Sequence, residues 1–251
     1  MIPFEKLGLA SSVAKAWDFS WDKIIELASR SNFQQIQLYL SEQHLRTSTA
    51  SFLKNVQLKF TVHLHLPPSL LPEEKWNDFL LLLHKNIHSR IYLIQHQPFG
   101  DDLNQFLNKF PFENFLPGIE NDLPNQWPLD FLNWFLKVKS YVPEALPVVD
   151  VPRFFHQVAP KSDFAEIAIQ VIELIRRLQQ MNKPFILHAI DHPINNTDRL
   201  FWQLLLLGEL PWSEILNLVK LKPDLLKCLM FEYENWNMVQ DSIQNLKNLK
   251  L

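Results

Sequence analysis

The fold is decided by the stretch Asp163-Phe-Ala-Glu-Ile-Ala-Ile-Gln-Val-Ile-Glu-Leu-Ile-Arg-Arg-Leu-Gln-Gln180 and by Pro184-Phe-Ile-Leu-His-Ala-Ile190, which follows it. In the first stretch the apolar residues recur at three- and four-residue steps, which predicts a helix with one core-facing stripe. The stripe consists of Phe164, Ile167, Ala168, Val171, Ile172 and Ile175. The second stretch is short and almost entirely apolar, which is typical of a strand buried on both faces in a parallel sheet. A helix followed by a buried strand is the repeating unit of an α/β fold.

The same alternation extends over the whole chain of 251 residues, and no linker rich in Ser, Gly or Pro interrupts it. The predicted strands are Lys6–Val13, Phe33–Leu40, Lys59–Leu66, Ile91–Gln97, Phe115–Asn121, Leu146–Val151, Pro184–Ile190 and Lys227–Glu234. The predicted helices include Trp21–Ser29, Glu73–Lys85, Leu103–Lys109, Pro128–Val138, Asp163–Gln180, Ser213–Val219 and Trp236–Leu249. Eight parallel strands alternating with helices predict a single (β/α)₈ TIM-barrel domain over residues 1–251. A doubly wound open sheet is the alternative, and the missing glycine-rich first turn counts against it.

Three helix starts carry a residue suited to bonding the free amides of a first turn. These residues are Ser20, Ser162 and Asn235, each directly before a predicted helix. Their short polar side chains accept hydrogen bonds from exposed backbone N–H groups at that position.

The composition excludes several classes of function. The chain has only four glycines, and no two lie close enough to form a dinucleotide fingerprint or a phosphate-binding loop. The glycine shortage also argues against a phosphorylated substrate and favours a neutral or carboxylated small molecule, because the usual barrel phosphate site relies on backbone amides of late loops. With 24 basic and 27 acidic residues the net charge is −3, so we expect no nucleic-acid partner.

The chain also has the features of a cytoplasmic protein. Its single cysteine, Cys228, lies in an apolar run and is expected to be a buried core residue, which fits a reducing compartment. No apolar run approaches the roughly 20 residues of a membrane span, and the first residues do not resemble a secretory signal. We therefore expect a cytoplasmic protein with no membrane contact.

Ionisable residues lie in or just past the carboxyl-terminal halves of the predicted strands, where a barrel gathers them around one mouth. They are His63, His65, His96, Glu120, Asp150, His188, Glu232 and Glu234. Any one of them alone is more simply a hydrogen-bonded core or rim residue. Because six strands deliver such residues to the same face, and because buried charge is costly unless it is paired or metal-bound, the pattern predicts a metal site. Mixed imidazole and carboxylate donors suit Zn²⁺, Mn²⁺, Co²⁺ or Fe²⁺, whereas Mg²⁺, a further candidate, is more typical of all-oxygen donors.

The order of these motifs resembles the xylose isomerase-like barrels, a superfamily of sugar isomerases, epimerases, dehydratases and abasic-site endonucleases. The similar motifs are His65-Leu-Pro67, His96-Gln-Pro98, Ile119-Glu-Asn121, Val149-Asp150, His188-Ala-Ile-Asp191, Leu207-Gly-Glu-Leu-Pro-Trp212 and Glu232. They follow the family's order over nearly the whole chain.

The resemblance implies a role for each site residue. Glu120, Asp150, His188 and Glu232 would hold one divalent metal ion, and His65 and His96 would either bind a second ion or contact the substrate. Glu120 and Glu232 would be the catalytic acid–base pair. Asp191 and Glu234 are further substrate-binding candidates. Arg153, judged from its chemistry, is either a solvated cation at the rim of the barrel or a donor to a substrate hydroxyl or carboxylate. Since strand side chains repeat every two residues, Glu234 is also the alternative to Glu232 as metal ligand.

Four positions depart from the family's pattern. Arg153 and Leu200 stand where the nuclease branch has two histidines of a third zinc site, Gln37 stands where relatives often have glutamate, and Leu210 replaces a loop glycine. The losses disfavour a three-metal phosphodiesterase.

Three functions follow from the resemblance and its departures. The leading prediction is a metal-dependent isomerase or epimerase of carbohydrate metabolism that acts on a small sugar or polyhydroxylated carbonyl compound. The alternatives are a metallohydrolase of the abasic-site endonuclease branch and a degenerate, non-catalytic barrel. A small-molecule substrate is the expected partner, and a homo-oligomer is left open.

Overall fold

The computed structural model describes residues 2–66, 73–87, 89–97, 114–157, 163–193 and 202–248. Eight strands pair in chain order, all parallel, and β1 pairs with β8 to close a barrel. They are β1 Leu7–Ala10, β2 Gln35–Tyr39, β3 Thr61–His65, β4 Ile91–His96, β5 Phe115–Glu120, β6 Leu146–Asp150, β7 Phe185–Ala189 and β8 Leu226–Phe231. The predicted TIM barrel is confirmed.

The helices in the described ranges surround this barrel. They are α1 Trp21–Arg30, α2 Thr47–Val56, α3 Glu73–Asn86, α4 Pro128–Tyr141, α5 Val151–Gln157, α6 Phe164–Gln180, α7 Trp212–Leu221 and α8 Trp236–Asn248. No helix in these ranges is both long and apolar enough to cross a membrane. The predicted helix Leu103–Lys109 lies outside the described residues.

Helix α6 shows why the outer layer forms. Its predicted stripe is buried at Ile167, Val171 and Ile175, which belong to the large apolar cluster between helices and strands. The opposite face carries charges, among them Glu173, which pairs with Arg176 and Arg177. The amphipathic period therefore decides which side of the helix faces the barrel.

Small and apolar side chains fill the barrel interior beneath the mouth. Cys228 is fully buried there together with Met230, as the sequence predicted. Gly8 of the adjoining strand β1 makes room for both, because a Cβ at Gly8 would lie 2.5 Å from Cys228 Sγ. The barrel interior is thus a packed core, so we expect a ligand to bind at the carboxyl ends of the strands.

Two helix caps form as predicted. Ser20 Oγ accepts a hydrogen bond from Lys23 N at 3.3 Å, and Asn235 Oδ1 accepts one from Asn237 N at 2.8 Å. Ser162 lies outside the described residues.

The structure differs from the predicted secondary structure in three places. The first predicted strand, Lys6–Val13, is wrong beyond Ala10, because Ser11–Trp17 is a 3₁₀ helix. The last predicted strand ends at Phe231, which places Glu232 in the loop just past β8. Helices α2 and α5 were not predicted. The first turns of α2 consist of Thr-Ser-Thr-Ala-Ser, residues with weak helix propensity apart from Ala50, so tertiary packing of Ala50 and Leu53 has to support them.

Candidate active site at the carboxyl ends of the strands

The mouth of the barrel brings together most of the predicted site residues. Donor atoms of four residues lie within 4.8 Å of one another, and all four side chains are buried. A second such group shares Glu120 with the first and adds two histidines of neighbouring strands. The first group is Glu120, Asp150, His188 and Glu232, and the second is His65, His96 and Glu120.

Glu120, at the end of β5, is the centre of both groups. Its Oε2 lies 2.8 Å from His65 Nε2 and 3.6 Å from His96 Nε2, and its Oε1 lies 3.5 Å from His188 Nδ1. Burial alone would raise the pKa of Glu120, but the charges of Arg153 and His188 outweigh burial and hold it well below its usual range. The carboxylate is therefore ionised although no water reaches it.

Asp150 ends strand β6 and starts helix α5. Its Oδ1 accepts a hydrogen bond from Arg153 N at 3.3 Å, as an N-cap aspartate does, and Asn121 binds its backbone N–H and C=O at 2.8 and 3.0 Å. Burial raises the pKa of Asp150 to about 7, and the charges of Glu120 and Glu232 add to the rise against the opposing effect of Arg153. At neutral pH this carboxyl is poised to hold or release a proton.

Glu232 is the member of the pair Glu232 and Glu234 that enters the cluster. Gln37 Nε2 and Tyr39 Oη donate hydrogen bonds to its Oε1 at 2.5 and 3.1 Å, and its Oε2 lies 3.1 Å from His188 Nδ1. Glu234 lies farther out and pairs with Lys15 at 2.5 Å. It lines a cavity at the mouth of the barrel, here termed the mouth cavity, together with Tyr39, Asp150, Arg153 and Glu232 among others. Gln37, a departure from the family's pattern, is thus an orienting group for Glu232.

Arg153 projects from the first turn of α5 back over the cluster. Its Nε donates a hydrogen bond to Asp150 Oδ2 at 2.8 Å and lies 2.9 Å from Glu120 Oε1, and its Nη1 pairs with Asp122 Oδ1. Asp122 also lies 2.7 Å from His96 Nδ1. Arg153 therefore compensates the negative charge of three carboxylates and still lines the mouth cavity of about 290 Å³.

Asp191 and His63 lie outside the cluster. The Asp191 carboxylate accepts hydrogen bonds from the backbone amides of His192, Leu206, Gly208 and Leu210 at 2.8, 2.9, 3.1 and 3.3 Å. Asp191 therefore organises the loop after β7, and its predicted contact with substrate stays a prediction. His63 is buried in the barrel interior, where its Nε2 lies 3.0 Å from Gln35 Oε1 and burial lowers its pKa to about 3.

Two contributors to the site, Asp122 and Tyr39, were not predicted from the sequence. Both were open to prediction, because Asp122 lies two residues after Glu120 and Tyr39 two residues after Gln37. Side chains two residues apart on an extended segment point to the same face. Each supports a neighbour: Asp122 contacts His96 and Arg153, and Tyr39 contacts Glu232.

The arrangement of donors fits a divalent metal ion. Within the described residues, both ring nitrogens of His188 and the Oε1 atom of Glu120 are buried without a hydrogen bond of suitable direction, although His188 Nδ1 lies only 3.5 Å from Glu120 Oε1. His65 Nδ1 lies 2.9 Å from the carbonyl oxygen of Leu66, which can only accept, so Nδ1 carries a hydrogen and Nε2 is directed at Glu120. A lone pair and a carboxylate oxygen 2.8 Å apart require a proton or a cation between them.

Comparison with known proteins identifies the fold only. No protein-family model matches the chain, and no curated protein matches it in sequence. Among solved structures, that of an L-ribulose 3-epimerase matches with a TM-score of 0.56 and 11% sequence identity. The match covers 98% of this chain and 86% of the epimerase. The TIM-barrel fold that the resemblance implies is thereby confirmed.

Proposed function

We propose that the protein is a metal-dependent epimerase or isomerase of a small ketose. The observation that carries the proposal is the convergence of three carboxylates and one imidazole within 4.8 Å at the mouth of a barrel similar to that of a sugar epimerase. This set suits Mn²⁺, Co²⁺ or Zn²⁺ in a site with room for substrate oxygens. The cytoplasm remains the compartment that we propose from the sequence.

Glu120, Asp150, His188 and Glu232 would hold the ion. Once bound, such an ion polarises the carbonyl and hydroxyl oxygens of a sugar and thereby acidifies the neighbouring C–H group. The remaining requirement is a pair of bases on opposite faces of that carbon, and the protein itself supplies both.

Glu120 and Glu232 are the pair that we assign to proton transfer. They approach from β5 and β8, three strands apart around the barrel. In each carboxylate one oxygen faces His188, at 3.5 Å for Glu120 and 3.1 Å for Glu232. The other oxygen of Glu120 lies 2.8 Å from His65 Nε2, and the other oxygen of Glu232 accepts hydrogen bonds from Gln37 and Tyr39. We assign these oxygens, Glu120 Oε2 and Glu232 Oε1, to take the proton from one face of the carbon and return a proton to the other.

Arg153 has a separate role in the proposed reaction. Its side chain is 29% exposed and lines the mouth cavity, so one edge of the guanidinium is available to a substrate hydroxyl or carboxylate. A planar guanidinium that is already fixed by Asp150 and Asp122 orients a ligand at little further cost in entropy.

Hydrogen exchange from solvent tests the proposal directly. The protein is incubated with ketopentoses and ketohexoses in D₂O with Mn²⁺, Co²⁺ or Zn²⁺, and NMR follows deuterium at the carbon next to the carbonyl. We expect exchange with at least one ketose, and about a 10²–10⁴-fold loss in Glu120→Gln and in Glu232→Gln. Glu214→Gln, on the exposed face of α7, is the matched control. Wild-type exchange rates in both site variants would refute the assignment.

A second candidate function is a two-ion metallohydrolase of the abasic-site endonuclease type. The observation that favours it is the second donor group of His65 and His96, which shares Glu120 with the first. Two ions that share a carboxylate can stabilise both the attacking and the leaving oxygen of a phosphodiester. Cleavage of a duplex with one abasic site in the presence of Zn²⁺ would establish this activity, and an uncut duplex at equimolar protein would exclude it.

A further inference from the structure

A second cavity of about 580 Å³ lies beside the mouth cavity, on the side of α1 and α2. It is about twice as large as the mouth cavity, whose volume is about 290 Å³. Pockets that bind small molecules typically have volumes of about 300–1,000 Å³, so both cavities are of a suitable size. Phe19 and Tyr39 line both cavities. The proposed reaction uses the mouth cavity alone and leaves the second one, here termed the outer cavity, without an assignment.

Phe19 and Tyr39 form the boundary that the two cavities share. Phe19 has a φ of 54° next to Asp18 with a φ of 53°, and a bulky residue rarely adopts this left-handed conformation. The Phe19 side chain is nevertheless 41% exposed. Tyr39 donates to Glu232 through its hydroxyl, while its backbone carbonyl accepts a hydrogen bond from Trp21 Nε1 at 3.2 Å. One residue thus connects the catalytic cluster to the floor of the outer cavity.

Aromatic rings make up part of the outer cavity's lining. Trp21 stacks on His44 with ring centroids 4.3 Å apart and an interplanar angle of 6°, and Phe52 lies 5.8 Å from Trp21. Extended flat surfaces of this kind pack against the apolar C–H face of a sugar ring.

The remaining lining is polar and acidic rather than basic. Hydroxyl groups of Ser41 and Ser48 accompany Asp18, Asp22 and one cation, Arg46. Within the described part of the chain, no ion pair engages Asp18 or Asp22. Carboxylates and hydroxyls suit the hydroxyl groups of a neutral ligand, and the acidic excess repels a phosphate or a carboxylate.

We infer that the outer cavity is a subsite for a neutral glycosyl group, so that the substrate is a ketose carrying a second sugar at the end remote from its carbonyl. This inference rests on the proposed function, because the mouth cavity has to take the ketose. The mouth cavity of about 290 Å³ has room for a single sugar ring, that of the ketose. The outer cavity would hold the second sugar ring, which is linked to the ketose.

The test compares the binding of two sugars by calorimetry in the presence of Mn²⁺. The probes are D-fructose and its 6-O-glucosyl derivative, which keeps the carbonyl end free. We expect the disaccharide to bind about tenfold more tightly, as one additional stacked ring with its hydrogen bonds would provide. Ser48→Phe, which fills the outer cavity from an exposed position of α2, is expected to abolish this preference and leave the affinity for fructose unchanged.

Ser51→Phe is the matched control, because Ser51 is exposed on the same helix but does not line the outer cavity. It should keep the tenfold preference, and thermal unfolding of both variants checks that they fold. The inference is overturned if wild type binds the two sugars equally, if it binds neither, or if Ser48→Phe retains the preference.

Deuterium exchange on the same two sugars separates this inference from the proposed function. A binding preference that Ser48→Phe removes, without exchange on either sugar or on any other ketose of the panel, would retain the subsite and refute the epimerase assignment. Exchange on fructose without any preference for the disaccharide would retain the epimerase and refute the subsite.

Discussion

Replacing Asp150 with asparagine should make the metal-free protein more stable at neutral pH while impairing the site. Burial and the neighbouring carboxylates raise the pKa of Asp150 to about 7, against an ordinary value of 3.8. An acid whose pKa is higher in the folded state binds its proton more tightly there. The folded state therefore loses stability as the pH rises from about 4 through about 7, and an uncharged asparagine does not experience this loss.

The size of the effect follows from the two pKa values. Their difference, at about 1.4 kcal/mol per pH unit, corresponds to about 4 kcal/mol above pH 7. Relaxation around Arg153 reduces the value, so we expect Asp150→Asn to gain about 2–4 kcal/mol over wild type between pH 4 and pH 8. Arg153, whose Nε donates a hydrogen bond to Asp150 Oδ2, lowers the pKa of Asp150, and this contribution is already contained in the value of about 7.

The assay is urea unfolding of wild type and Asp150→Asn at several pH values with EDTA present. The quantity of interest is the difference in unfolding free energy between the two proteins as a function of pH. Asp130→Asn, at an exposed position of α4, is the control and should show no such trend. A difference that stays constant from pH 4 to pH 8, or one that falls with rising pH, would refute the argument.

Three further predictions concern the loop after β7, the arginine and the metal. Gly208→Ala should destabilise the protein by about 2 kcal/mol or more in urea unfolding, because its Cβ would lie 2.0 Å from Asp191 Oδ1, and an unchanged midpoint would contradict this. Arg153→Ala should raise the affinity for Mn²⁺ measured by calorimetry, because Arg153 Nε lies 2.9 Å from Glu120 Oε1 and its positive charge repels an incoming cation; weaker binding would show that the arginine supports the ligands instead. Mn²⁺ binding should tighten from pH 6 to pH 8 and release protons, because the pKa of His188 is raised by Glu232 and Glu120 despite its burial, and only its neutral ring binds metal; buffers of different ionisation enthalpy measure the protons released.

The sequence was sufficient to predict the parts of the site that lie on strands. Apolar runs that end in an ionisable residue locate Glu120 and His188 at the mouth, because parallel strands of a barrel deliver their carboxyl ends to one face. The same argument locates Asp150 at the mouth. Because side chains two residues apart on a strand point to the same face, the sequence could not decide whether Glu232 or Glu234 enters the cluster. Their separation depends on where β8 ends, at Phe231, and no periodic pattern defines such an end.

The parts that lie on short helices and in loops were not predictable in the same way. Arg153 reaches Glu120 only because Asp150 caps a seven-residue helix directly at the strand end, where sequence analysis expected strand as far as Val151. Residues Thr47–Val56 carry few strong helix formers, so the helix that borders the outer cavity depends on its packing against the barrel. In both places tertiary contacts outweigh local propensity.

For the proposed metal site, the charge balance of the mouth favours one ion over two. Buried carboxylates need compensating charge, and Arg153 supplies one positive charge at every physiological pH. Neighbouring carboxylates also raise the pKa values of His188 and His96, so protons on these rings provide the remaining compensation when no ion is bound. One divalent ion in the first donor group would displace the proton of His188, whereas a second ion beside His96 would lie close to Arg153, the cation that already pairs with Asp122. A one-ion site suits proton transfer at carbon better than the hydrolysis of a phosphodiester, and Arg153 is the residue that makes the difference.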